Sequence, residues 1–361
     1  MPRGGSPERG PVRGSSHRPE KRSGAQGGAP QSQVGCVGRG LPLRILYAAT
    51  SSFAVPALEA LVRHGVRPVS VLTRPASRAG RGQRTHPSAV QIAAQALGLP
   101  VLVPQGVNER QVLEAVDALA TDLLVVASYG QILKAPLLAL PRLGCINLHA
   151  SLLPVWRGAA PVAHTLLAGD PVTGVTLMQM DEGLDTGPIL ACLRTPVAWG
   201  DDRGRLTQRL AQMAAELLVA HLHDIEAGCL KPVPQDDRLA SRAPALKKAQ
   251  GCLDWQRPAR EVARRVRAFS PRPGAFTFTG SRRLLVRRVR LQAPGWAPPE
   301  GPPGTLGSLS PQHGVPVRCG EGTGLFLVQV QPEGRGVMTA AAALHGRRLL
   351  PGQVLGAAGP G

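Results

Sequence analysis

Along the middle of the chain, short apolar runs alternate with stretches whose apolar positions recur every three or four residues. Arg44–Ala49 (RILYAA), Val69–Leu72, Val101–Val103, Leu123–Ser128 (LLVVAS) and Cys145–His149 (CINLH) read as strands. Between them, Val55–Arg63, Ala89–Leu97 and Gln111–Ala120 carry apolar residues at helical spacing. Strands alternating with helices predict βαβ units and a mostly parallel sheet. A further strand alternates from Thr173, and Arg205–Ala227 reads as a long closing helix. Periodicity then breaks over Gly228–Ala245, where Pro232, Pro234 and Pro244 fall. Beyond the break come one helix, Ala259–Ala268, and β-prone runs at Ala275–Phe278, Leu284–Leu291, Val315–Arg318 and Leu325–Val330. Gly/Pro-rich turns separate these runs, a pattern that predicts a small β-barrel. Residues 1–41 have almost no large apolar side chain and cannot bury a core, so they are expected to be a disordered tail or an over-extended start. The expected organisation is therefore a tail (1–41), an α/β domain (42–230), a linker (231–249) and a barrel domain (250–361), each domain with its own core.

Charge sharpens this division. The chain of 361 residues carries a net charge of +19. Residues 1–41 hold seven basic and two acidic side chains, residues 42–230 fifteen and fourteen, and residues 231–361 twenty and seven. The α/β domain is thus nearly neutral, and the last third is a polycation. A polyphosphate partner accounts for such asymmetry better than the compositional drift of an arginine-rich chain. With 43% hydrophobic residues the chain is globular, and no apolar run approaches the ~20 residues that span a bilayer. Six cysteines lie scattered without a C-x-x-C pair, which speaks against a zinc site or a disulfide framework and fits a reducing cytosol.

Two stretches carry candidate chemistry. In Gly144–Val162 (GCINLHASLLPVWRGAAPV) a buried strand runs into a loop at the edge of the sheet. Asn147 and His149 are two apart on that strand and so share a face, where an amide donor and an imidazole side by side suit an oxyanion. In Thr173–Ile189 (TGVTLMQMDEGLDTGPI) a strand leads to an acidic turn. Asp181 and Glu182 read as solvated, whereas Asp185, beside a compact Thr-Gly-Pro, reads as a partly enclosed carboxylate able to orient the imidazole. No G-x-G-x-x-G follows the first strand and no Walker sequence occurs, so dinucleotide and P-loop chemistry are set aside. His164, His221 and His223 do not form a metal site, because i, i+2 histidines on a helix do not share a face.

N-x-H-x-SLLP-x-W-x-GAAP followed by M-x-x-G-x-DTG resembles the 10-formyltetrahydrofolate-dependent formyltransferases. WRGAAP, GCLDW (251–255) and RAFSPRPGAF (267–276) are similar to the branch acting on initiator methionyl-tRNA. The resemblance runs from Pro42 to about Gly356 and implies a Rossmann-like formyltransferase domain followed by an OB-like, tRNA-binding barrel. It implies Asn147, His149 and Asp185 as catalytic residues and Ser151, Leu152, Leu153 and Pro154 as the folate-binding segment. The basic loop Arg74–Pro87 (RPASRAGRGQRTHP) matches an insertion that the family uses on the acceptor stem. Arg74, Arg78, Arg81 and Arg84 in that loop, with Arg264, Arg265, Arg287 and Arg288 in the barrel, are the expected tRNA contacts. The co-substrate would be 10-formyltetrahydrofolate, without a metal, and a monomer in the bacterial cytosol is expected. There are departures: Ala49, Thr50 and Ser51 replace the usual Gly-Thr-Pro, Ser77 and Arg78 stand in place of Arg-Pro, and Val155 replaces a commonly basic residue. Other readings are a formyltransferase for a ribonucleotide or amino sugar, a formyl-folate hydrolase, and an RNA-binding protein on an inactive fold.

Overall fold

The computed structural model describes residues 43–79, 84–292 and 295–356. Residues 1–42, which hold the expected tail, lie outside the described residues.

The elements follow the order β1 (Ile45–Ala49), α1 (Val55–Arg63), β2 (Ser70–Leu72), β3 (Ser77–Ala79), β4 (Arg84–His86), α2 (Ala89–Ala96), β5 (Val101–Leu102), α3 (Arg110–Ala118), β6 (Leu123–Ala127), α4 (Ala135–Leu138) and β7 (Cys145–His149). They continue as α5 (Pro161–Ala168), β8 (Val172–Gln179), β9 (Ile189–Pro196) and α6 (Arg203–Glu226). The remainder is α7 (Ala259–Phe269), β10 (Ala275–Thr279), β11 (Arg282–Leu291), β12 (Val315–Arg318), β13 (Gly324–Pro332), β14 (Met338–Thr339) and α8 (Ala340–His345).

The first sheet has strand order β5-β2-β1-β6-β7-β8-β9. Its five leading members pair in parallel, whereas β8 and β9 are antiparallel additions on one edge. Strands β1, β6 and β7 are buried at every position, as continuous apolar runs in a sheet covered on both faces must be. Helix α6, 24 residues or roughly 36 Å long, packs Leu206, Leu210, Leu217, Leu218 and Ile225 inward against α1 and β8. The Asp202 side chain caps it by accepting from the Arg205 amide at 2.9 Å.

The trailing sheet runs β10-β11-β13-β12, antiparallel throughout, with β14 on β13. Isolated bridges continue the ring: Val317 to Leu306, Thr305 to Val354, and Gly356 to Phe278 on β10. Two irregular segments thus close the sheet into the barrel that the turn spacing predicts.

The structure departs from expectation in three places. The basic stretch Arg74–Pro87 is partly a hairpin, with β3 and β4 paired from Ser77↔His86 to Ala79↔Arg84. The expected separate cores are joined: one cluster of buried residues runs from Ile45 and Leu218 through Val266 and Trp255 to Leu327 and Leu355. Residues 40–361 accordingly form one compact unit. Helix α7 makes the join. It sets Val262, Val266 and Phe269 inward, packs on α5 and β11, and leaves Glu261 on its exposed side. Finally, the expected linker is tied down, since Val233 bridges Ile189 and Arg242 bridges Arg157.

Candidate active site

Strand β7, parallel to β6, delivers Asn147 and His149 to the carboxyl end of the sheet, the edge at which open α/β sheets bind ligands. Both are at least nine-tenths buried. On the neighbouring strand, Asn147 pairs with Met178 and His149 with Thr176, so the turn leaving β8 returns over the same face. That turn is organised by Asp181, which accepts from the Gly183 amide at 3.0 Å and from Thr186 Oγ1 at 2.7 Å. It is therefore a capped turn rather than a merely solvated one. Gly187 has to be glycine, because a Cβ there would collide with the Gln179 carbonyl.

Asp185 sits in this turn with φ of +55°, a left-handed conformation that Asp tolerates better than most residues. Its carboxylate is the hub of the site. Oδ1 accepts from Asn147 Nδ2 at 3.3 Å, and Oδ2 accepts from the Gly158 amide at 2.8 Å and lies 3.5 Å from His149 Nδ1. On its other side the imidazole meets the Trp156 carbonyl, with Nε2 at 2.9 Å. A carbonyl oxygen only accepts, so Nε2 carries a proton in this contact. The Nδ1 contact with the carboxylate becomes attractive only when Nδ1 is protonated as well. Among the described residues, Asn147 Nδ2 donates only to Asp185 and keeps its second hydrogen uncommitted. Cys145, on the same strand, is no nucleophile, because burial pushes its thiol up to about 12 and leaves it neutral.

The loop after β7 is held from several directions. Thr176, fully buried, donates to the Ser151 carbonyl at 2.7 Å and accepts from the Leu153 amide at 3.1 Å. Ser151 itself is fully buried, its hydroxyl donating to the Val155 carbonyl at 2.6 Å, while Leu152 and Pro154 remain partly exposed. Trp156, at φ +64°, donates its indole N–H to Asp170 at 2.7 Å and stacks on His164 at 5.5 Å. A left-handed Trp is strained and persists because these neighbours fix it. Gly158, at φ +125°, lies so close to Ala243 that a Cβ would come within 2.7 Å of its carbonyl oxygen. Thr50, retained in the altered loop after β1, donates to the Tyr129 carbonyl at 2.7 Å.

The expected tRNA contacts fall into distinct environments. Arg74 is exposed, Arg78 and Arg84 lie in the strands of the hairpin, and Arg81 lies outside the described residues. In the barrel half, Arg265 donates to the Gln250 carbonyl at 2.8 Å. Arg287 donates to the Pro271 carbonyl and to Gln331. Arg264 packs against Gly169 and lines a cavity of about 250 Å³ with Asp170 and Trp199. Arg288 is exposed and borders a larger cavity of about 620 Å³ between α7 and β11, together with Arg267, Arg272 and Arg290. The catalytic candidates line neither cavity. Reading the sequence missed Trp156, Gly158, Thr176 and Gln235 as parts of the site. The first two fall in Gly144–Val162 and Thr176 in Thr173–Ile189, both already marked, whereas Gln235 falls in the expected linker.

The formyl transferase family profile matches residues 43–222, and the profile of the formyl transferase C-terminal domain matches residues 245–348. The chain belongs to the formyl transferase family. It is 48% identical over 310 residues to methionyl-tRNA formyltransferase of Halorhodospira halophila, covering 86% of this chain and 98% of that one. It is 46% identical over 315 residues to methionyl-tRNA formyltransferase of Thiobacillus denitrificans, covering 87% and 100%. Among solved structures, it is similar in fold to a sugar 3N-formyl transferase studied with dTDP and 5-N-formyl-THF, at TM-score 0.60, 16% identity, and 82% and 100% coverage. HypX from Aquifex aeolicus in complex with tetrahydrofolic acid gives TM-score 0.57 at 16% identity, and this chain spans 84% of itself but 47% of that protein.

Proposed function

We propose that the chain transfers the formyl group of 10-formyltetrahydrofolate to the free amino group of methionyl initiator tRNA. The observation that carries this reading is the convergence of the Asn147 amide, the His149 imidazole and the Gly158 amide on one enclosed carboxylate, Asp185. Such a site has donors and a proton carrier but no activated nucleophile, which suits direct attack by a neutral amine on the formyl carbon. The uncommitted N–H of Asn147 takes the oxygen as it becomes an oxyanion, and His149 joins it by exchanging the Trp156 carbonyl for that oxygen. Asp185 orients the imidazole and organises removal of the amine proton. No metal has a part in these steps.

Choice of the acceptor is supported by relatives that are 40–48% identical over nearly their whole length and by the net +13 of residues 231–361, whose twenty basic side chains outnumber seven acids. Phosphate contacts by the barrel position the tRNA, and the basic stretch Arg74–Pro87, with Arg74, Arg78, Arg81 and Arg84 in its sequence, meets its acceptor stem. We further propose a monomer of the bacterial cytosol; no helix of the described residues is long and apolar enough to cross a membrane. Incubation with 10-formyltetrahydrofolate and methionyl-tRNA should give formylmethionine on the tRNA. Release of formate in place of that product would favour the hydrolase reading, and formylation of an amino sugar alone would favour the sugar branch.

A further inference from the structure

Gln235 lies in the stretch expected to be a plain linker, yet its side-chain amide is fully engaged. Nε2 donates to the Asp185 carbonyl at 2.9 Å and to the Gly187 carbonyl at 2.7 Å. Oε1 accepts from Arg157 twice, from Nε at 3.0 Å and from Nη2 at 2.8 Å. One amide therefore uses both of its hydrogens on the turn that carries Asp185, and its oxygen on the loop that carries Trp156 and Gly158. Among the described residues, those two segments supply the polar partners of the Asn147 and His149 side chains. The backbone contacts lie alongside: Val233 exchanges two hydrogen bonds with Ile189, and the Arg157 amide donates to the Ser241 carbonyl at 2.8 Å. The strap is thus pinned on either side of Gln235. A glutamine in a proline-rich stretch is ordinarily solvated. Here four contacts of 3.0 Å or less bind it to two site loops. A glutamate at this position has no donor for the two carbonyls, and an asparagine is one methylene short.

We propose that Gln235 is a positioning residue for formyl transfer, clamping the Asp185 turn to the Trp156–Gly158 loop so that the carboxylate stays between the amide and the imidazole. The inference rests on the proposed function for its kinetic consequence, but not for its structural one. Full-length Gln235→Ala and Gln235→Glu are compared with the parent on 10-formyltetrahydrofolate and methionyl-tRNA. Turnover should fall about tenfold to a hundredfold, the loss expected when reacting groups are displaced by an ångström or less, while KM for tRNA stays within about twofold. In an Asp185→Asn background, Gln235→Ala should cost little more, because the two act as a unit. Hydrogen–deuterium exchange should quicken together in residues 154–160 and 181–188 and stay unchanged in α6. Unchanged turnover, fully multiplicative losses or unchanged exchange in both loops would overturn the clamp. A parent enzyme without formyl transfer would sink the proposed function instead and leave exchange to decide the clamp.

Discussion

In the sheet half, the Asn147 amide, the His149 imidazole and the Gly158 amide each meet the Asp185 carboxylate within 3.5 Å, whereas the arginines of the barrel half divide into two populations. Arg265 and Arg287 are spent on carbonyls and on Gln331, and the Arg288 side chain makes no hydrogen bond or ion pair within the described residues. In the first region, function belongs to a constellation: removing one member misplaces the rest. In the second, it belongs to the summed field, and single residues differ in whether they contribute to that field or to the fold. Total charge therefore overstates the surface offered to phosphate, while three residues understate the structure needed for chemistry.

The largest expected effect tests the constellation. Replacing Asn147 or His149 with Ala should lower turnover about a hundred- to a thousandfold, with circular dichroism unchanged. Asp185→Asn should also lower it, and combining it with His149→Ala should be little worse than the worse single variant. Independent, multiplying losses would dissolve the unit. Thr176→Val comes next. It leaves the Leu153 amide and the Ser151 carbonyl buried without partners, so it should cost about 2–4 kcal/mol in denaturant unfolding. A loss below half a kilocalorie would mean that the loop re-forms its bonds elsewhere.

The barrel half should respond more gently. Arg288→Ala should reduce the slope of log affinity for tRNA against log salt by about one while leaving stability intact. Arg287→Ala should instead destabilise by about 1–2 kcal/mol, since it strands an acceptor on Gln331. If both variants changed only the salt slope, the division into two populations would fall. The smallest effect concerns Asp201. Burial alone would raise its pKa, but hydrogen bonds from Arg209 and from the Ala198 amide bring it below the ordinary carboxylate value. A depressed carboxylate contributes stability above its unfolded pKa of about 3.9, and that contribution is lost as pH falls through the folded value. Arg209→Ala should therefore lower Tm by a few degrees at pH 7, roughly 1 kcal/mol, and the gap to the parent should close below pH ~4. A gap independent of pH would assign the loss to the packing of Arg209 alone.

The strands of the parallel sheet were legible because burial on both faces demands unbroken apolar runs, as in LLVVA of β6. Helix α6 showed its period over many turns. Strand β9 was not marked, since only one of its eight positions is buried and its pattern does not alternate. Helix α5 starts at Pro161 inside a motif that drew attention to chemistry rather than to fold. Asn147, His149 and Asp185 were legible as residue types with a shared strand face and a compact turn. Gln235 and Thr176 were not, because their roles depend on carbonyls dozens of residues away, and no local spacing encodes those pairings. The shared core escaped notice for the same reason: Val266 and Phe269 look like the inward face of any amphipathic helix, whichever sheet they serve.

The stretch from Val233 to Ala243 has a consequence for how this chain can be cut or recombined. The profile of the leading domain ends at residue 222, short of Gln235, Ser241 and Ala243. A fragment that stops there keeps Asn147, His149 and Asp185 and loses the backbone that Arg157 and Gly158 rest against. The two halves are consequently not exchangeable cassettes joined by an inert tether. Grafting a foreign barrel at residue 230 replaces the strap that holds the Asp185 turn and the Trp156–Gly158 loop along with the barrel, and a chimera has to carry this chain's own strap through Ala243.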